Sequence, residues 1–433
     1  MKKIILLLIL GLLIGGCGRK KAEIKEEIVV WHWMTDRQET FAELGNKYEK
    51  ITGVKTKFCL YAPSDAYSQK IKAAAQTDTL PDIYGILGEK EVFALFVKAG
   101  YVLDLTDEMN ANVGQWRNRF FPRALAVNEF EPGNRFEIKS GIYGVPLDVT
   151  NIQMVYNKKL FQKAGLNPEQ PPRSWWEFIN VAKKLKKAGI DGFVSGWGEI
   201  WMIESLTLDW AMNLMGEEKV FATFRGDVPY TDPEWIKVFS LFKTMEDAGL
   251  LYDGIVIMVN KTAERLFATE KAAMAFNGSW CVNVYKEMNP ELDYGVFPPP
   301  FISDENSMRI WGGAGSSFMV NKKSAKTKQA VEFLKWLTAA PQQTYLSEKT
   351  LNLPANQKSL EAIPSILAEF ANDMDIVTHP NIWPVTEFPL VRETMNKGIQ
   401  SIVIGEKTPR QLAKEIQEVK IREEKKRQDA EAR

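Results

Sequence analysis

Apolar positions along the chain alternate between a strand-like and a helix-like rhythm. Ile28–Trp31 is a continuous apolar run, the pattern of a strand buried on both faces. Phe41, Leu44, Tyr48 and Ile51 then recur at helical spacing, and Gly53 stands where a left-handed C-cap belongs. Val54–Leu60 alternates as a strand, Ser64 caps a predicted helix to Ala75, and Pro81–Ile86 reads as the next strand. Glu89–Ala99 is a further helix, closed by Gly100. The rhythm restarts near residue 150, with a strand over Ile152–Tyr156. Ser174-Trp175-Trp176-Glu177 is a capping box opening a helix that turns Phe178, Val181 and Leu185 inward. Thr231-Asp232-Pro233-Glu234 opens another, and a helix over Thr262–Thr269 leads into a strand over Ala272–Phe276. Thr408-Pro409 starts a last helix, expected to fray into the charged stretch Arg422–Arg433. Strands alternating with helices in two successive blocks predict an α/β protein of two lobes.

The first residues follow a different pattern. Lys2 and Lys3 precede the apolar run Ile4–Ile14, which is too short to span a bilayer and suits a signal peptide over 1–16. The run ends in Ile14-Gly15-Gly16-Cys17, which resembles a lipobox whose cysteine is lipidated. Residues 17–27 then form a polar tether, so the mature protein is expected outside the cytoplasm, anchored to a membrane surface. Roughly 400 residues remain, too many for one core. Over the full sequence Lys and Arg balance Asp and Glu at 55 each, so no single-sign field argues for nucleic acid. Cys59 and Cys281 are expected to be buried free thiols, and no second long apolar run follows the first.

Motifs for turnover are missing. The chain has two histidines, His32 and His379, no HExxH and no cysteine pair at metal spacing. It lacks a G-x-S-x-G elbow, a P-loop and a G-x-G-x-x-G after the first strand. Neither a catalytic set nor a cofactor or metal site is therefore expected.

Residues 141–186 carry a resemblance: Tyr143-Gly144-Val145-Pro146-x-Asp148, Tyr156-Asn157-Lys158, Ala164-Gly165-Leu166 and a Pro-Pro-x-x-Trp helix start. Leu80-Pro81-Asp82-Ile83, Asn277-Gly278-Ser279-Trp280, Trp311-Gly312-Gly313, Ala330–Leu334 and Leu353-Pro354-Ala355 extend it in order. Together they resemble the family-1 extracellular solute-binding proteins, which deliver sugars to ABC importers. The resemblance implies a type II periplasmic-binding-protein-like fold, two α/β lobes with ligand between them and several hinge crossings. Crossings are expected near Pro146–Thr150, Val296–Pro299 and Thr338–Pro341, where proline suits a hinge. Lobe one is then 28–147 plus 298–338, lobe two 148–297 plus 339–420, and 421–433 a charged tail. The implied partners are a carbohydrate and permease subunits with a separate ATPase, around a monomeric receptor.

Ligands of open α/β sheets meet the carboxyl ends of the strands. That rule selects Trp33, Asp36 and Arg37 after the first strand and Glu89 after the third, while Asp82 matches a family motif position. Asp148 and Asn151 are expected on the cleft floor, being polar among apolar neighbours. Trp280 follows Asn277-Gly278-Ser279, read as a sharp turn that lifts the ring to the strand's end. There an indole can cover the C–H face of a sugar while polar groups orient its rim. Trp311 precedes Gly312 and Gly313, whose bare backbone would admit a ligand closely. Trp197, Glu199 and Trp201 form an aromatic loop expected on the opposite jaw, and Trp383 is a fourth aromatic candidate. Trp175, Trp176, Trp235 and Trp336 sit on amphipathic helices and are read as packing. Neutral composition and aromatic candidates favour an uncharged carbohydrate over a polyamine, phosphate ester or peptide. A surface glycosidase and a purely structural lipoprotein are the rivals from other classes.

Overall fold

In the computed structural model, which describes residues 27–87 and 90–431, twelve strands follow the chain in this order: β1 (Glu27–His32), β2 (Lys55–Leu60), β3 (Ile83–Tyr84), β4 (Glu129–Phe130), β5 (Gly141–Ile142), β6 (Val145–Asn157), β7 (Phe193–Val194), β8 (Met274–Gly278), β9 (Tyr294–Phe297), β10 (Ile310–Val320), β11 (Leu353–Pro354) and β12 (Val377–Thr378). β4 and β5 pair with each other, and the rest form one ten-stranded sheet ordered β2-β1-β3-β10-β6-β8-β7, with β9 and β11 added on β6 and β12 on β10. β1 runs parallel to β2 and β3, and β10 returns antiparallel beside β3.

The long strand β6 joins the two halves. Its residues from Val145 to Asn151 pair with β10, and Ile152 to Tyr156 pair with β8. Twelve of its thirteen positions are buried, polar Asp148, Asn151, Gln153 and Asn157 among them. Core packing follows the same division. One cluster gathers Ile28, Phe41, Phe318 and Leu353, and a second gathers Trp210, Phe242 and Ile399. The first continues past the crossing to Val155, Phe267 and Tyr285.

Two expected boundaries move. The segment after Pro300 packs with the second cluster: Trp210 Nε1 donates to Pro300 O at 3.2 Å, and Asn213 Oδ1 accepts from Ile302 N at 2.6 Å. The second crossing therefore lies at the start of β10, after residue 309, rather than at the proline run. Pro341 likewise marks no crossing. It occupies the first turn of helix Ala340–Thr350, where a missing N–H costs nothing, and that helix stays on the first cluster through Leu346. Asn356 keeps the following loop beside the end of the preceding helix, its side chain donating to Thr338 O at 2.8 Å.

Helix Ser365–Ala371 then braces β6. Phe370 O accepts from Asn151 Nδ2 at 2.7 Å and Gln153 Nε2 at 3.2 Å, and Glu369 accepts from Val296 N at 2.8 Å.

Local signals were realised unevenly. Gly53 has φ +78° at its C-cap, the Ser174–Glu177 capping box forms, and Asp232 caps the helix that Pro233 begins. Ser64 does not cap; its helix starts at that residue, behind Pro63. The last helix, Pro409–Glu431, runs through the expected charged tail. Its side chains pair one turn apart, as in Lys426 to Glu423 at 2.6 Å, and Arg427 lies over the Phe388 ring. Both thiols described are free, but only Cys281 is buried, since Cys59 lies half-exposed on the edge strand β2. Residues 1–16, Cys17 and the tether lie outside the described residues, apart from Glu27.

Candidate functional site

The carboxyl ends of β1, β3 and β8 each carry an aromatic ring or a glycine. Trp33 follows β1 and lies over Gly85, which follows β3; a Cβ on Gly85 would stand 2.3 Å from the indole. Tyr67 supports the ring from a centroid distance of 5.2 Å. In the other half, Trp280 lies over Gly278, the last residue of β8, where a Cβ would stand 2.0 Å from the ring. Trp201 flanks it at 6.0 Å, and Glu199 holds Trp201 Nε1 at 3.2 Å and Asn260 N at 2.8 Å. Ser279 ties this side to the crossing, its N donating to Asn151 O at 2.9 Å and its hydroxyl meeting Thr150 Oγ1 at 3.1 Å.

Beside Trp33, the flank of β10 forms one wall of a recess of about 160 Å³, lined also by Lys90, Asn128, His379 and Asn381. Lys90 and Asn381 line as well a wider groove, bounded by Glu129–Phe136 and Ile382–Pro384. Arg135 reaches across this groove to Thr386 Oγ1 at 2.9 Å. Trp311 packs on His379 and Trp383, both at centroid distances of 5.7 Å.

Two buried cations shape the electrostatics. Arg37 forms an ion pair with Asp148, and its Nη1 donates to Ser316 Oγ at 3.1 Å. Asp148 in turn accepts from Ser316 N at 2.5 Å and Ser316 Oγ at 2.6 Å. Burial opposes the charge on Arg37, but Asp148 and Asp36 hold its pKa above the ordinary value. Lys90 Nζ donates to Val127 O and to Glu129 O, the latter at 2.6 Å, and burial pushes its pKa down to about 7 against the pull of Glu129 and Glu131. Burial, helped by Lys90 and Arg392, also lowers His379 to about 4 and so keeps it neutral. Among the described residues no cluster of three His, Cys, Asp or Glu side chains is placed to hold a metal ion.

A family model described as "Bacterial extracellular solute-binding protein" matches residues 43–376. The chain belongs to this family. The extracellular solute-binding protein is 25% identical over 354 residues to the multiple sugar-binding protein of Streptococcus mutans, covering 78% of this chain and 79% of that one. It is 26% identical over 292 residues to the sn-glycerol-3-phosphate-binding periplasmic protein of Pectobacterium atrosepticum, covering 64% and 65%. Its fold matches a family 1 extracellular solute-binding protein from Bifidobacterium longum subsp. infantis with a TM-score of 0.69 at 19% identity, over 91% of this chain and 98% of that one. The two-lobed α/β architecture is that of its structural neighbours, and its place is extracytoplasmic.

Against this geometry, the residues selected from sequence divide sharply. Trp33, Trp201, Trp280, Trp311 and Glu199 keep exposed surface. Arg37 and Asp148 instead neutralise each other, and Asp36 sits on the rim, accepting from Asn352 Nδ2 at 3.0 Å. Asn151 is fully buried with its amide on Phe370 O, so it fastens the brace rather than a ligand. Asp82 precedes β3 at the far end of the strand, holding Val29 N at 2.9 Å and Lys326 Nζ at 3.3 Å. Trp197 is core, wedged against Phe193 and Phe242 at 5.8 and 5.5 Å. Trp383 is also buried, packing on Phe221 and Phe224 with Nε1 on Thr378 Oγ1 at 2.6 Å, and only its edge reaches the groove. Gly312 serves β6 rather than a ligand, since a Cβ would stand 2.5 Å from Thr150 O; Gly313 is buried too, its nearest neighbour Val127. Glu89 lies outside the described residues.

Lys90, Asn128, His379 and Asn381 were not selected. Nothing in their local patterns distinguishes them, because chain segments distant in sequence bring them together.

Proposed function

We propose that this solute-binding protein closes on a carbohydrate between its lobes and presents the closed form to the permease of an ABC importer. What carries the reading is a pair of tryptophans, each at a strand end and each laid on a glycine. Trp33 rests on Gly85, and Trp280 on Gly278. Each ring has one side against backbone and offers the other to a sugar's C–H face, with Trp201 and Trp311 extending the aromatic lining. A ligand touching both rings does so only when the lobes approach, so binding shifts the population toward closure. Cys17 carries the lipid that tethers the receptor, which acts as a monomer and leaves nucleotide hydrolysis to its partners. It binds without turnover. A relative named for multiple sugars supports the ligand class.

The test is a thermal-shift screen over mono- and oligosaccharides, followed by titration of the hits against Trp33→Ala and Trp280→Ala. A saccharide should raise the melting temperature of the parent protein, and each variant should lose that response. If no saccharide shifts the transition, or if both variants respond as the parent does, the reading fails.

A further inference from the structure

The recess beside Trp33 differs from an ordinary polyol site in its hydrogen-bonding inventory. A sugar hydroxyl both donates and accepts, so a cavity that holds one needs acceptors as well as donors. None of the described residues lining this recess is an aspartate or glutamate. Asp148, the nearest buried carboxylate on the β6 side, is engaged by Arg37 and Ser316.

The polar groups that remain are mostly donors, with Asn128 Oδ1 an acceptor among them. Lys90 is 5% exposed, and its ammonium gives two of three protons to backbone carbonyls and faces the Phe130 ring at 4.4 Å. It makes no ion pair with a described residue. Glu129, the carboxylate that follows in its surroundings, is instead bonded to Arg117 at 2.7 Å. His379 Nδ1 accepts from Asn381 N at 3.1 Å, which leaves the proton of the neutral ring on Nε2 as a donor. Asn381 Oδ1 is taken by Lys90 N at 3.1 Å, which leaves its amide N–H groups. Ser317 Oγ accepts from Asn128 Nδ2 at 3.0 Å, which leaves its O–H to donate.

We infer that this recess receives an anionic oxygen group of the solute, a carboxylate, phosphate or sulfate, on Lys90, His379, Asn381 and Ser317. Such a group accepts in every direction and donates in none, so it suits a donor-rich lining that hydroxyls would leave partly frustrated. It also supplies a direct ion-pair partner for buried Lys90, which otherwise feels only the more distant Glu129 and Glu131. The solute is therefore an acidic saccharide or a phosphorylated polyol. This rests on the receptor reading above and revises its ligand from neutral to anionic, the opposite of what the balanced composition suggested.

Isothermal titration of the purified protein at neutral pH tests it with matched probes: D-galacturonate against D-galactose, and sn-glycerol 3-phosphate against glycerol. The first pair reports a carboxylate, the second a phosphate. At least one anion should bind more than about tenfold tighter than its neutral partner. Lys90→Gln, which keeps amide donors for the two carbonyls, should collapse that preference toward unity. Asn381→Asp, which adds a like charge at the recess wall, should abolish anion binding, and it carries the test if Lys90→Gln does not fold. If the neutral probes or the screened saccharides bind as well as the anions, and both variants leave the ratio unchanged, the inference is overturned while the receptor reading stands. If neither the probes nor the saccharides bind, both fail.

Discussion

The indole of Trp280 occupies the space where a side chain on Gly278 would lie: a Cβ at that position would stand 2.0 Å from Cζ3 and 2.2 Å from Cη2. Gly278 does not take a positive φ, so its lack of a side chain serves the ring rather than a turn. Gly278→Ala should accordingly displace Trp280 and weaken solute binding, with an overpacking cost of about 1–3 kcal/mol. Ligand titration alongside urea unfolding measures both. An alanine variant that binds as the parent does would show that the contact has no bearing on the ring's position.

Two tryptophans near the gap should respond oppositely to truncation. Trp197 is fully buried between Phe193 and Phe242, so Trp197→Ala should cost about 3–5 kcal/mol. Trp280 keeps exposed surface, so Trp280→Ala should cost markedly less while removing the ligand response. Denaturant midpoints of the ligand-free variants make the comparison.

The Arg37–Asp148 pair joins the segment after β1 to the crossing strand, with Ser316 of β10 as third member. Removing one partner leaves the other charge buried and uncompensated. Arg37→Met or Asp148→Leu alone should each destabilise by about 3–5 kcal/mol, and the double variant should recover much of that loss. A double-mutant cycle from chemical denaturation reads the coupling directly. Additive losses would mean that the two charges do not depend on each other.

Both histidines are held neutral in the folded protein. Burial lowers His32 to about 4 despite its contact with Gln38, and lowers His379 to about 4 with help from Lys90 and Arg392. An unfolded histidine takes up its proton near 6.5, so below that pH the unfolded state binds more protons and gains relative to the folded one. Stability should therefore fall as pH drops from about 6.5 to about 4. His32→Gln and His379→Gln should each flatten that slope, measured as unfolding free energy against pH.

Much of the architecture was readable because it rests on local chemistry. The unbroken apolar run of β1, the helical spacing of Phe41, Leu44 and Tyr48, and the Ser174–Glu177 capping box each state their element within one or two turns. The hinge was less readable because proline has more than one use. Pro341 starts a helix, and the prolines before Phe301 belong to a segment held by Trp210 and Asn213, contacts that span about 90 residues. Among polar candidates, sequence distinguishes neither a ligand contact nor a structural clamp. Asp148 and Asn151 share one strand within three residues, and both face partners, Arg37 and Phe370, far away in the chain. The strand-end rule concerns where a ring sits rather than what it bonds, and Trp33 and Trp280 do follow the ends of β1 and β8.

Strand β6 belongs to two ladders at once, and helix Ser365–Ala371 is laced to both of its halves through Asn151 and Gln153. Neither lobe owns a complete sheet, so melting one strips a face from the other. The receptor has two jaws but a single point of failure, and heat should take it apart in one step.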